Sequence, residues 1–402
     1  MSSPCTSSPD ASAGTQVAWL NSLSEVARED WDRLAGSADP FVSHTFLSAL
    51  EECDCLAGHG WRPCHVAVRS GSAIIAAAPL YLRDNSFGEF VFDWNWADAY
   101  ERAGGSYYPK LVSAIPFSPV RGPRLLINPS CENPQAARDL LVRSVVDFAD
   151  ELELSSFHCL FPREIDVQSL LHHGMLPRKT LQYCWFNHGY RDFRDFLDAL
   201  SSKRRKEIVR ERRHVREAGV EIERLTGRDI QDDHWQTFYK FYCSTFHRRW
   251  GSPRFTLDFF RSLSDRLPDQ TLLILARSHG RYIAGAFAMI GTDTLYGRHW
   301  GCAEDVRFLH FELCYYQTIE HCISLGLERL DAGVQGEHKL SRGFEPVPAV
   351  SCHWIRHPGF RAAIEDYLAR ETAGFDQYVE ALKLHLPFNA SRSVQSADST
   401  VT

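Results

Sequence analysis

The tightest constraint on this chain is that it states one order of elements twice. Displaced by 208 residues, Arg69-Ser70 falls on Arg277-Ser278, Ile75-Ala76 on Ile283-Ala284 and Ala78 on Ala286, five identities in twelve positions. The apolar pattern around those identities repeats as well. In the first half it predicts a strand near Val17–Leu20, a helix behind Ser24 carrying Val26, Trp31 and Leu34, and a second helix with Phe46, Leu47 and Leu50 on one side. Strands follow at Cys64–Val68, Ala73–Leu82 and Phe87–Phe92, then a helix from about Gln135 to Ala149 and a strand at Ser156–Phe161. The second half predicts a strand at Val220–Leu225, helices over Asp229–Phe246 and Leu257–Leu267, and strands at Leu272–Ala276, Tyr282–Ile290 and Thr294–Trp300. A helix over Phe311–Ser324 and a strand at Leu327–Val334 close it. The result is a duplicated β-α-α-β-β-β-α-β unit of mixed α/β (α+β) class, each sheet flanked by helices. The alternative is two unrelated α/β domains with similar hairpins.

A chain of 402 residues has room for two such units. They are expected over 16–178 and 179–388, the second with a basic helix at 203–218, between tails at 1–15 and 389–402 rich in small polar residues. Charge separates the remaining classes. A net charge of −7 argues against general nucleic-acid binding unless cations are concentrated locally. They are: Lys203 to Arg216 holds eight Lys/Arg, among them Lys203, Arg204, Arg205, Arg212 and Arg213, against Glu207 and Glu211. Such a helix can contact phosphates without reading sequence, or can simply be a solvated face. No stretch reaches the roughly 20 apolar residues of a membrane span, and no apolar segment follows the N-terminus. Twelve cysteines lack any C-x-x-C. The expectation is a cytoplasmic protein with reduced thiols.

The order of elements is that of the GNAT acyltransferase core, and two cores in tandem resemble the Fem-type aminoacyltransferases of peptidoglycan cross-bridges. The chain is similar in particular to the FemAB-like predicted N-acyltransferases. The segments that carry this are Phe90-Val91-Phe92-Asp93-Trp94 with Trp96-Ala97-Asp98-Ala99-Tyr100, Tyr107-Tyr108-Pro109-Lys110-Leu111, Pro116-Phe117-Ser118-Pro119-Val120, Leu295 to Cys302, Leu309-His310-Phe311-Glu312 with Cys314-Tyr315-Tyr316-Gln317, and Gln335-Gly336-Glu337-His338-Lys339. The run Ser201 to Ile208 resembles the basic segment near the start of the Fem second unit. The resemblance implies acyl or aminoacyl transfer to an amine on a small molecule or peptide, from aminoacyl-tRNA or acyl-CoA as co-substrate, with no tightly bound cofactor. A non-catalytic module that binds a cell-wall peptide or small ligand is the alternative. Oligomeric state is not legible.

Transfer to an amine needs a held donor, a proton acceptor and donors aimed at the oxyanion. No Gly-rich loop precedes the helix near Phe311. Ala303-Glu304-Asp305-Val306-Arg307-Phe308 stands there, and its carboxylates repel a pyrophosphate. Strand ends are where α/β sheets place ligands. Two converge by expectation, Arg298-His299-Trp300 and Gln335 to Lys339 with Arg342. Glu337, His338 and His299 are the catalytic candidates. Arg298, Lys339 and Arg342 would hold a carboxylate or phosphate, with Trp300, Gln335, Glu312, Tyr315 and Gln317 beside them. In the first half Asp93, Trp94, Trp96, Tyr108 and Lys110 suggest a groove for a sugar-peptide or amino acid, or an aromatic core. No metal is expected: His299, His310 and His338 lack ligand spacing, and His310-Phe311-Glu312 lacks the Pro-Cys-x-x-Cys of zinc deaminases.

Overall fold

The computed structural model describes residues 14–248, 251–334 and 336–389. The expected tails fall almost wholly outside these, although Thr15 already opens the first strand and Asn389 N–H donates to Ala199 O. Gln335 also lies outside the described residues.

The first half runs β1 (Thr15–Leu20), α1 (Arg28–Ala35), α2 (His44–Glu52), β2 (Trp61–Pro63), β3 (His65–Ser70), β4 (Ala73–Ala78), β5 (Tyr81–Arg83), α3 (Trp94–Arg102), β6 (Lys110–Ser113), β7 (Leu126–Ile127), α4 (Pro134–Glu151), β8 (Ser156–Leu160), α5 (Glu164–His172) and β9 (Leu176–Phe186). The second runs α6 (Phe193–Ala199), α7 (Ser202–Glu217), β10 (Glu221–Thr226), α8 (Asp232–His247), α9 (Leu257–Arg266), β11 (Thr271–Ser278), β12 (Arg281–Ile290), β13 (Thr294–Cys302), α10 (Leu309–Phe311), a π turn at Glu312–Tyr316, α11 (Gln317–Ser324), β14 (Arg329–Asp331), β15 (Glu345–Ile355) and α12 (Pro358–Lys383). Two GNAT-like units in tandem account for this order.

The duplication holds at the level of individual pairs. In the first hairpin Val66 faces Ala78, and the register slips between Val68 and Arg69. In the second, Ile274 faces Ala286, and the register slips between Ala276 and Arg277. Pairing and bulge are both displaced by the same 208 residues. One predicted strand fails. Phe87–Phe92 is a turn with Phe90 at φ 62°, and the strand that corresponds to Thr294–Cys302 is β6. Two more are cut. Cys64 and Pro79-Leu80 kink the first hairpin, so that β3–β4 join a four-stranded sheet while β2 and β5 remain in the main one. Proline removes a ladder donor, which explains the break.

The main sheet has eleven strands in the order β10-β11-β12-β13-β14-β9-β15-β8-β6-β5-β2. At its centre the halves exchange strands. β9, from the first half, pairs with β14 (Leu330 opposite Trp185), and β15, from the second, pairs with β8 (Cys352 opposite Cys159). The two exchanged strands pair with each other from Glu345–Cys184 to His353–Leu176. The expected boundary between 178 and 179 therefore falls inside β9. One core is shared across the halves: Phe41 and Phe46 of the first lie against Tyr296 and Phe259 of the second.

Candidate active site

β13 and β14 are parallel and pair over Thr294–Arg329, Leu295–Leu330 and Tyr296–Asp331 only. Beyond that they part, and a cavity of about 560 Å³ opens between them. Parallel strands that diverge expose backbone groups at a place walled by rigid elements, which suits a reacting centre. Across β13, Phe287 faces His299 and Ala288 faces Gly297, so Arg298 is the extra residue of a bulge. A bulged residue is left out of the ladder and re-aims its neighbours.

Of the two segments expected to converge, Arg298, His299, Trp300, Gly336, His338 and Lys339 line this cavity, with Tyr315 beside them. Glu337 does not. It is exposed and accepts a hydrogen bond from Tyr378 on α12. Lys339 is buried, and its Nζ donates to Ala332 O at 2.6 Å. Burial pulls its pKa down to about 8, Arg298 adds to this, and Asp331 opposes it. His299 falls to about 3 through burial and then Arg298. His310 falls to about 4 through burial and then the neighbouring His338, Lys339 and Arg342. His338 is also lowered, first by burial and then by Arg342 and Lys339, and its Nε2 is 2.9 Å from the Tyr315 hydroxyl. At neutral pH the cleft thus presents three uncharged imidazoles and one lysine that loses its proton easily.

A second cavity of about 510 Å³ adjoins the first and shares Trp300 and His310 with it. Its rim carries Glu304 and Asp305 ahead of α10. This is the segment whose carboxylates are expected to repel a pyrophosphate.

Several expected ligand contacts are internal supports instead. Arg342 is 7 % exposed. It donates to Glu211 at 2.8 Å and to Tyr316, and it lies over the Phe311 ring. Glu312 is buried and takes Arg212 at 3.1 Å and Gln317 at 2.8 Å. Desolvated charges must be paired, and these are. Glu211 and Arg212 thereby tie α7 to the wall of the cleft, and Arg212 is half-buried against it. On the outer side of α7, Lys203, Lys206, Arg210 and Arg213 are exposed in one stripe, while Arg204 pairs with Glu207 and Arg205 with Asp198.

The first-half groove is corrected too. Lys110 is fully buried, with its Nζ 2.7 Å from Ser86, 2.8 Å from Glu89 and 2.6 Å from Asp93. Burial opposes its charge, but the two carboxylates more than offset that and raise its pKa. Tyr107 donates to Asp93, and His158 and His353 meet in the same core. Trp96 is buried under Arg178. Tyr108 is half-buried and is 2.9 Å from Ser86. Trp94 is exposed, beside Phe92. Trp94 apart, these residues hold one another.

Sequence reasoning passed over Asp331, which ends β14 and steadies Arg298 at 3.4 Å. A carboxylate closing an apolar run, Leu330-Asp331, was its signal. It also passed over Asp39, which reaches the same charges from the first half and rises to about 6 through burial, against the pull of Arg124 and Arg298. No local pattern marks that contact. Among the described residues no group of three or more His, Cys, Asp or Glu is placed to hold a metal ion, and no helix is long and apolar enough to cross a membrane.

Comparison with known proteins adds the lineage. The family model FemAB_like, described as peptidoglycan biosynthesis/recognition, matches residues 22–390. No curated protein matches the sequence. Among solved structures, FemX aligns at 12 % identity over 85 % of this chain and 98 % of its own, with a TM-score of 0.54. A C-terminal domain (DUF2156) assigned to a lysylphosphatidylglycerol synthetase of Agrobacterium fabrum aligns at 11 % identity over 87 % and 97 %, with a TM-score of 0.52. A tandem GNAT protein from the clavulanic acid pathway aligns at 11 % identity over 86 % and 99 %, with a TM-score of 0.45.

Proposed function

The chain belongs to the FemAB-like family, and from that premise we propose that it is an N-acyltransferase that moves an aminoacyl group from tRNA to an amine on a peptide or small molecule. The observation that carries this reading is the parting of β13 and β14 beside a bulge, with a buried lysine and uncharged imidazoles facing the gap.

The chemistry is direct aminolysis. The acceptor nitrogen attacks the ester carbonyl carbon and a C–N bond forms. Neutral His338 takes the proton that the nitrogen sheds, and Tyr315 holds its ring. The carbonyl oxygen gains negative charge, which the Lys339 ammonium and the unpaired backbone at the bulge stabilise. The C–O ester bond then breaks, and the ribose oxygen regains a proton. No side chain becomes covalently attached.

Two features favour aminoacyl-tRNA over acyl-CoA. Glu304 and Asp305 rim the cavity where a pyrophosphate would sit, and α7 turns a stripe of cations outward. Phosphate contacts of this kind position a nucleic acid without reading its sequence. The test is discharge of radiolabelled aminoacyl-tRNA in the presence of a peptide amine pool, with acetyl-CoA in parallel. The reading expects an acylated amine from the first donor only. Discharge that never exceeds spontaneous hydrolysis would leave acyl-CoA transfer or a non-catalytic binding module.

A further inference from the structure

The side chain of Arg298 is 4 % exposed, and only part of it is used. Nη1 donates to Gly297 O at 2.8 Å and to Asp331 at 3.4 Å. Nε and Nη2 are buried and have no partner among the described residues. These two N–H groups lie side by side along one edge of the guanidinium, the edge that grips a planar carboxylate with two parallel bonds. His299 Nε2, next in the chain and on the same cavity, is likewise buried without a partner. Unpaired buried donors are costly, and an arginine edge left without a partner on a residue that lines the cavity calls for an anion from outside.

We infer that the Nε/Nη2 edge of Arg298 receives a carboxylate of the acceptor, so that the acceptor is an amino acid or peptide whose free carboxylate lies close to the amine being acylated. This rests on the acyl-transfer reading for the fate of that amine. The donor supplies no carboxylate here, because its aminoacyl carboxyl group is esterified, and its anions are the phosphodiesters of the tRNA. Free phosphate or a phosphomonoester fits less well: Asp331 is in contact with the same guanidinium and Asp39 is within its field, and both would repel a dianion more than a monoanion. The anchor also sits on the bulged residue itself, so one residue sets both the carbonyl geometry and the distance between the carboxylate and the attacking nitrogen.

The test needs no donor. A pool of free amino acids and dipeptides, and the same pool C-terminally amidated, are equilibrated with the full-length protein by dialysis, and retained species are counted by mass spectrometry. The wild-type protein should retain acids at least tenfold over their amides. Arg298→Gln should retain both alike, and Arg298→Lys should recover part of the preference, each with an unchanged circular dichroism spectrum. Equal retention of acids and amides by the wild type, retention of neither, or displacement of the acids by inorganic phosphate would overturn the inference, and none of these depends on how a variant folds. Acid retention without any transfer from charged tRNA would instead remove the aminoacyl-tRNA reading and leave the carboxylate site standing.

Discussion

The two halves diverge where their strands are equivalent. The pair Tyr81–Val112 in the first corresponds to Met289–Tyr296 in the second, so Ala114 and Ile115 stand where Arg298 and His299 stand. Both halves form three parallel pairs at this place, β6 with β8 and β13 with β14. In the second half β13 runs on, bulges and opens a cleft. In the first the strand stops at Ser113, and Pro116-Phe117-Ser118-Pro119 turns away, with Phe117 packed against Trp61 and Phe255. Each half buries a lysine near this split. Lys110 is enclosed by two carboxylates, whereas Lys339 has a backbone oxygen and a cavity. The same unit has therefore become a sealed support in one copy and an open site in the other. The difference turns on whether polar groups face each other or face outward.

The largest expected effect breaks the comparison most directly. Lys339→Met should reduce transfer at least about a hundredfold, as loss of an oxyanion-stabilising group does, while the melting temperature changes little. Lys110→Met should do the reverse. It leaves Asp93 buried without its cation and Glu89 with Arg83 alone, at a cost of about 3–5 kcal/mol, and any lost activity should follow lost fold. Calorimetry and a transfer assay on the two variants decide this, and a Lys110→Met protein that melts like the wild type would refute the sealed-support assignment.

The next prediction concerns Asp39, the first-half residue that reaches the second-half charges. Its folded pKa is raised to about 6 from 3.8, so the folded state favours the protonated form. That contribution is fully present below about pH 4 and is lost as pH rises through 6. Asp39→Asn should then be isostable with the wild type at pH 3.5 and more stable at pH 8 by about 3 kcal/mol. Urea titrations at the two pH values measure the difference.

Much of this was legible in the sequence, for reasons that differ by region. The hairpins of both halves follow local alternation, and the bulges at Arg69 and Arg277 sit where the repeat matches. The clusters at Arg298 and Lys339 were legible because polar residues interrupt apolar runs, although Arg298 lies inside β13 and Lys339 on a 3-10 helix, Glu337–Arg342, rather than at strand ends. The exchange of β9 and β15 was not, because both are half-apolar strands whose partners are chosen by tertiary pairing. Phe87–Phe92 misled because an aromatic run reads as a strand, whereas Glu89 and Asp93 are drawn inward to Lys110 and fold the segment into a turn. The charges of Glu312, Arg212 and Arg342 read as ligand or RNA contacts because a sequence does not show that each has an internal partner.

A smaller effect sharpens the role of α7. Reversing Lys203, Lys206, Arg210 and Arg213 to Glu should lower tRNA affinity and flatten its salt dependence by about 0.7–0.9 in log–log slope for each phosphate no longer neutralised. Reversing the paired Arg204 and Arg205 should do less. Filter binding at several salt concentrations distinguishes the two sets. The smallest effect is Arg213→Ala on stability, expected within about 0.5 kcal/mol because its contact with Glu217 at 3.7 Å is exposed.

The proposal that the second-half cleft is the reacting site is tested most directly by where the donor's acyl group lands. A tRNA charged with a photoreactive phenylalanine analogue, irradiated with the full chain and mapped by peptide mass spectrometry, should label the wall formed by Trp300, His310, Tyr315 and His338. Labelling confined to the Ala114–Pro119 turn or the Phe87–Trp94 surface, with the second-half cleft unmarked, would contradict it.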